Sequence, residues 1–167
     1  MTSAKAAFLC CLIFAAIVSR AQNPSRSAAD SVRGHFNSIN QKVLEMAKDF
    51  PESKYHYRMK PEMRSFGELI VHIAGGNAYA AKAGRGENVN WDDFDPKDYK
   101  TKAEIVALME KSIADADATL KTWSDESFSK HVDPWLDVTE HSAEHYGLLV
   151  AYYRANGLVP PASRPKK

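Results

Sequence analysis

His141-Ser142-Ala143-Glu144-His145 puts two imidazoles four residues apart. On a helix that spacing stacks them on one face, with Cβ atoms about 5–6 Å apart. Neutral imidazole is the commonest protein ligand for zinc-like ions, so the pair has chelating geometry. Val138, His141, His145, Leu148 and Tyr152 share one stripe at helical period, and the two histidines fill slots that a bundle would give to leucine. Burying polar rings there costs free energy unless their nitrogens are satisfied. Two readings stand at this point: ligation of a metal ion, or two core histidines that each hydrogen-bond to a neighbour.

The other histidines carry weaker signals. His72 lies beside an apolar stripe, where a lone histidine is ordinarily structural. His35 borders the stripe of the first helix, which makes it a distant candidate for a further ligand. His56 sits in a polar connector, and His131 lies in the loop before the last helix. Glu140 and Glu144 are turned off the histidine stripe by about 100° per residue, which suits surface positions better than ligation. Trp91, Trp123, Trp135, Tyr146 and Tyr152 read as core and loop packing rather than as a substrate platform. The chain shows no Ser–His–Asp arrangement, no phosphate-cradling glycine loop and no HExxH helix.

Four amphipathic helices must position these residues. The first spans about Ser27 to Asp49, with Val32, Phe36, Ile39, Val43 and Met46 at spacings of four and three, and Pro51 stops it. The second starts at Ser65, with Glu68 three residues on as a capping box, buries Phe66, Leu69, Ile70, Ile73 and Ala74, and ends at Gly84-Arg85-Gly86. The third begins at Thr101 with Glu104 in the capping position, carries Ile105, Leu108, Met109, Ile113, Ala116 and Leu120, and closes at Trp123. Residues 124–136 read as a loop. The fourth helix is expected from about Asp137, with Glu140 as its capping partner, to Asn156-Gly157, and Pro160-Pro161 forbids continuation. Residues 84–100 form a long loop, and loops of that length often cover a site. Gly75-Gly76 lowers helix propensity by up to about 1 kcal/mol per glycine relative to alanine and leaves room for a close approach. No alternation at period two suggests a sheet. The pattern predicts an all-α, antiparallel four-helix bundle with long loops, a fold whose metal sites are built from side chains on facing helices.

Residues 1–21 stand outside that fold. Lys5, the apolar run Ala6 to Val18 and the small residues around Ser19-Arg20-Ala21 match a secretory signal, and the run is short for a membrane span of about 20 residues. The expected domain is therefore 22–167, in a secreted or periplasmic protein without a membrane anchor after cleavage. Both cysteines, Cys10 and Cys11, fall within the signal, so the mature chain has neither disulfide nor cysteine nucleophile. It retains 20 basic and 21 acidic residues, a net charge of −1. That balance argues against nucleic acid as a partner, because phosphate binding needs a concentrated basic surface. Arg164, Lys166 and Lys167 read as a short solvated basic tail.

The run Glu144-His145-Tyr146-Gly147-Leu148-Leu149-Val150, followed by Tyr152-Tyr153-Arg154-Ala155-Asn156-Gly157-Leu158-Val159-Pro160-Pro161-Ala162-Ser163, resembles the closing helix and tail of the DinB-like metal-binding bundles. Arg64-Ser65-Phe66-Gly67-Glu68-Leu69-Ile70-Val71-His72-Ile73-Ala74 resembles that family's second helix, and the likeness extends over roughly residues 28–163. The resemblance implies a divalent metal, most often zinc or nickel, held by one histidine of the second helix and two of the last. Those positions map to His72, His141 and His145. It also implies activities such as thiol-dependent transfer or isomerisation, and it allows a homodimer. An export signal sets this chain apart, since small-thiol chemistry is mainly cytoplasmic.

Three imidazoles leave a divalent ion its full charge and an open position. Such a site can lower the pKa of bound water to about 7, or bind a thiolate or carbonyl oxygen. The expected function is an exported metal-dependent enzyme of hydrolase or thiol-transferase type acting on a small molecule, with no separate catalytic residue identified. The alternatives are a non-catalytic, metal-stabilised bundle and a small-ligand-binding module.

Overall fold

The computed structural model describes residues 26–91 and 94–165. The proposed signal, residues 1–21, and the tail residues Lys166 and Lys167 lie outside them. Among the described residues the regular structure is entirely helical, with short 3₁₀ turns at Glu52–Lys54, Pro96–Asp98 and Pro161–Ser163.

Helix α1, Ala28–Asp49, starts where the Ser27 hydroxyl accepts the Asp30 N–H and stops before Pro51. Helix α2, Phe66–Gly84, opens with the expected box: the Glu68 N–H donates to Ser65 Oγ, and the Ser65 N–H donates to the Glu68 carboxylate. Helix α3, Lys102–Lys121, opens the same way on Thr101 and Glu104. The expected loop 124–136 is different. It holds a six-residue helix α4, Asp125–Lys130, capped by Ser124, and helix α5 begins at Asp133 and runs to Ala155. The last long helix thus starts four residues before Asp137, and Asp137 and Glu140 lie inside it rather than capping it. Pro134 fits because a helix's first turn needs no N–H from it. Gly157, at φ +70°, supplies the left-handed residue after α5.

Contacts along the bundle fix the helix directions. The Gly67 and Gly84 ends of α2 meet Ile105 and Thr119 of α3, so α2 and α3 run the same way, where the all-α bundle was expected to alternate direction. Phe66 of α2 packs on Tyr152 near the end of α5, so those two are antiparallel. Arg33 to Asp117 and Lys48 to Glu110 make α1 and α3 antiparallel. Phe36 to Trp135 and the Tyr153 hydroxyl to Met46 O make α1 and α5 parallel. Residues 85–101 must therefore travel back along the whole of α2 before α3 can begin, which explains their length.

Two apolar cores fill the bundle. One holds Phe50, Tyr55, Phe66, Met109, Tyr152 and Tyr153, with Phe50 stacked on Phe66 at 3.8 Å. The other holds Phe36, Leu120, Phe128, Trp135 and Val138. The stripe residues Phe36, Val43 and Met46 of α1 and Phe66, Leu69, Ile70, Ile73 and Ala74 of α2 are buried as their periodicity requires. Of the expected tail, the described residue Arg164 is not simply solvated. Arg164 donates to both carboxylate oxygens of Asp49 and to Val159 O, and its hydrogen bonds, helped by the Tyr153 hydroxyl, outweigh burial and hold the Asp49 carboxyl below the usual range. No described helix is long and apolar enough to cross a membrane.

Candidate metal centre

His72 projects from the middle of α2, and His141 and His145 project from α5 one turn apart. Because α2 and α5 are antiparallel neighbours, the three rings meet in one place. Nε2 of His72 lies 2.9 Å from Nε2 of His141. Ring centroids are 4.7 Å apart for 72 and 141, 4.9 Å for 72 and 145, and 4.4 Å for 141 and 145. The potential ligand nitrogens all lie within 4.8 Å of one another, close enough to share an ion, and each residue is half-buried. At 2.9 Å one Nε2 donates and the other accepts, so the pair makes a hydrogen bond when no cation lies between them.

The surroundings come from the long crossover. Trp91 sits edge-on to His141, centroids 4.9 Å apart, and packs on Tyr79 of α2 at 4.8 Å. Gly76 makes that arrangement possible. A Cβ there would stand 2.8 Å from Trp91 Cζ2 and 3.0 Å from His141 Nδ1. The close approach expected at the glycine pair is therefore made by a histidine and a loop tryptophan. Glu68 lies one helical turn before His72. Its carboxylate is drawn up by burial and more than offset by the Ser65 N–H and the Arg58 guanidinium, leaving its pKa below the ordinary value.

The remaining candidates fall elsewhere. His35 and His56 are exposed, and His131 is exposed and packs against Trp123 at 5.5 Å. Glu140 and Glu144 are exposed too. Trp135, expected as packing, is completely buried. Trp91 and Tyr79 are what residue patterns missed. Only the length of the loop hinted that something from it would reach the histidines. A cavity of about 370 Å³ opens at the start of α2, lined by Tyr55, His56, Ser65, Glu68, Tyr99 and Ile105, and none of His72, His141 and His145 lines it.

The DinB superfamily profile matches residues 35–153, from α1 nearly to the end of α5. The chain belongs to the DinB superfamily. No curated protein matches it in sequence. The all-helical DinB superfamily fold expected from the residues is the one observed, and the cluster of His72, His141 and His145 in it is compatible with a divalent metal site. Its donor set of three neutral imidazoles, with no thiolate, suits borderline ions rather than calcium or magnesium.

Proposed function

We propose that this DinB superfamily chain is an exported metal-dependent enzyme in which His72, His141 and His145 hold one divalent ion, zinc or nickel by donor type, and that it acts by hydrolysis or thiol transfer on a small molecule. The observation that carries this reading is the convergence of three ring nitrogens, from two separate helices, within 4.8 Å at a half-buried position. A divalent ion held by three imidazoles supplies Lewis-acid chemistry to whatever occupies its remaining position. Around it the chain's own groups shape access. Trp91 and Tyr79 form an aromatic flank that would hold an apolar part of a substrate and exclude water from one side. Gly76 keeps that flank tight against His141. Export is supported by the apolar run from Ala6 to Val18 after Lys5, and a partner other than nucleic acid by the near-even charge balance of the sequence.

Elemental analysis of protein prepared without a histidine tag tests the metal, and turnover across a panel of hydrolysable and thiol-acceptor substrates tests the activity. One ion per chain, loss of turnover with chelator, restoration by added metal, and a His145→Ala variant that keeps its helicity but not its metal are the expected results. Protein that carries no stoichiometric metal when offered zinc or nickel would overturn the metal reading. Metal-loaded protein that turns over nothing, but melts much lower after chelation, would point to a non-catalytic, metal-stabilised bundle.

A further inference from the structure

Between the two apolar cores lies a layer of four buried polar side chains, one from each long helix: Asn40 of α1, Asn77 of α2, Ser112 of α3 and Ser142 of α5. Asn77 Nδ2 donates to Asn40 Oδ1 at 3.0 Å and reaches Ser112 Oγ at 3.4 Å. The Ser142 hydroxyl donates to the same Asn40 Oδ1 at 3.2 Å. Asn40 Nδ2 is anchored on Phe36 O and the Ser112 hydroxyl on Met109 O. Asn40 is thus the hub, and its one carbonyl oxygen ties α2 to α5.

The layer stands at the height of the histidines. Ser142 follows His141 in the chain, and Asn77 follows Gly76, the residue against which His141 packs. A slide or rotation of α5 past α2 would break the Asn40 junction and separate the His72 and His141 nitrogens together. The layer is also a poor stabiliser. Asn77 Oδ1 is buried without a partner among the described residues, and replacing both partners of a buried hydrogen bond with apolar groups of similar shape can be nearly neutral or stabilising. What directional hydrogen bonds add to apolar packing is a further constraint on register.

We infer that Asn40, with Asn77 and Ser142, is a positioning device for the histidine cluster, fixing α5 against α2 so that His141 meets His72. The inference rests on the metal reading only for its affinity readout. Two variants test it in the full chain: Ser142→Ala, which cuts the α5 tie alone, and the triple replacement Asn40→Leu, Asn77→Leu, Ser142→Ala, which makes the layer apolar. The probes are Co²⁺, followed by its visible spectrum, and the ring-proton NMR shifts of His141, which report its place beside Trp91. The expected result is a triple variant that melts at or above the parent temperature. It binds Co²⁺ about 10–100-fold more weakly, the range set by lost outer support of metal ligands, and its His141 shifts move. In Ser142→Ala the same two readouts move less.

A folded triple variant with parental Co²⁺ affinity and parental His141 shifts overturns the inference. If the triple variant does not fold, unchanged affinity and shifts in Ser142→Ala overturn it. If the parent itself binds no Co²⁺, the metal reading fails, and the His141 shifts alone decide the role of the layer.

Discussion

Gly76 decides how closely the crossover can lie on the histidine cluster. An alanine methyl there would overlap Trp91 Cζ2 at 2.8 Å and press on His141 Nδ1 at 3.0 Å. The same substitution raises helix propensity, by about 1 kcal/mol. Gly76→Ala is therefore expected to keep or raise helicity while weakening metal binding about tenfold, since outer support of a ligand is worth that much. Circular dichroism and a zinc competition titration check the two halves. The histidine pair was readable because two polar rings on an apolar helical stripe break the pattern around them. His72 was not readable in that way. One histidine beside a stripe fits the ordinary structural reading, and only the family likeness singled it out. Trp91 read only as packing, since its contact with His141 depends on the path of a loop rather than on any period. Asn40 and Asn77 also escaped, because a lone asparagine beside an apolar stripe looks like the edge of the solvated face.

Among the elements, the Asp117 carboxylate gathers three side chains where α1 meets α3. Asp117 accepts from Arg33 Nε at 2.6 Å and Nη2 at 3.2 Å, from Asn37 Nδ2 at 2.5 Å and from Lys121 Nζ at 2.9 Å. The Arg33 hydrogen bonds, with help from Asn37 and Lys121, hold the Asp117 carboxyl far below the usual carboxylate range. A pKa lowered by folding means that the folded state favours the charged form. The contribution is complete above the unfolded value of about 3.9 and is lost as pH falls towards the folded value. Asp117→Asn should cost about 2 kcal/mol at pH 7, as hydrogen bonds to a charged group do when half-buried. Denaturant melts from pH 7 to pH 2 should show that difference constant down to about pH 5 and shrinking below pH 4. At the far end of α2, Gly84 faces Trp135, where a Cβ would come within 2.6 Å of Cζ2. The indole is fully buried, so it cannot swing away, and Gly84→Ala should destabilise by about 1–3 kcal/mol by overpacking, measured in the same melts. Helix starts at Ser65 and Thr101 were legible because both capping partners lie within four residues. The start of α5 was not. Asp137 and Glu140 imitate a cap in mid-helix, while the true first turn holds Pro134 and has no side-chain cap at Val132.

For the molecule as a whole, an ion bound only by the native bundle adds stability by mass action. Free metal at 100 times its Kd contributes about 2.7 kcal/mol, which in a domain of this size raises Tm on the order of 10 °C. Calorimetry with and without chelator should show that shift in the parent and little of it in His145→Ala. The class of the fold was legible from four stripes of similar length. The helix directions were not, because stripes carry no sense of travel; the clue lay in a connection too long for two adjacent ends, which returns the chain along α2 past the histidines. That route has a practical consequence. Of the three indoles, Trp135 is sealed against Phe36 and Trp123 packs on His131, while Trp91 alone touches the cluster. Replacing a proton on the neighbouring imidazole with a cation alters what quenches that indole. With an ion bound as proposed, that indole would serve as an optical gauge of occupancy, and a Trp123→Phe, Trp135→Phe background would let its emission be read without any added dye.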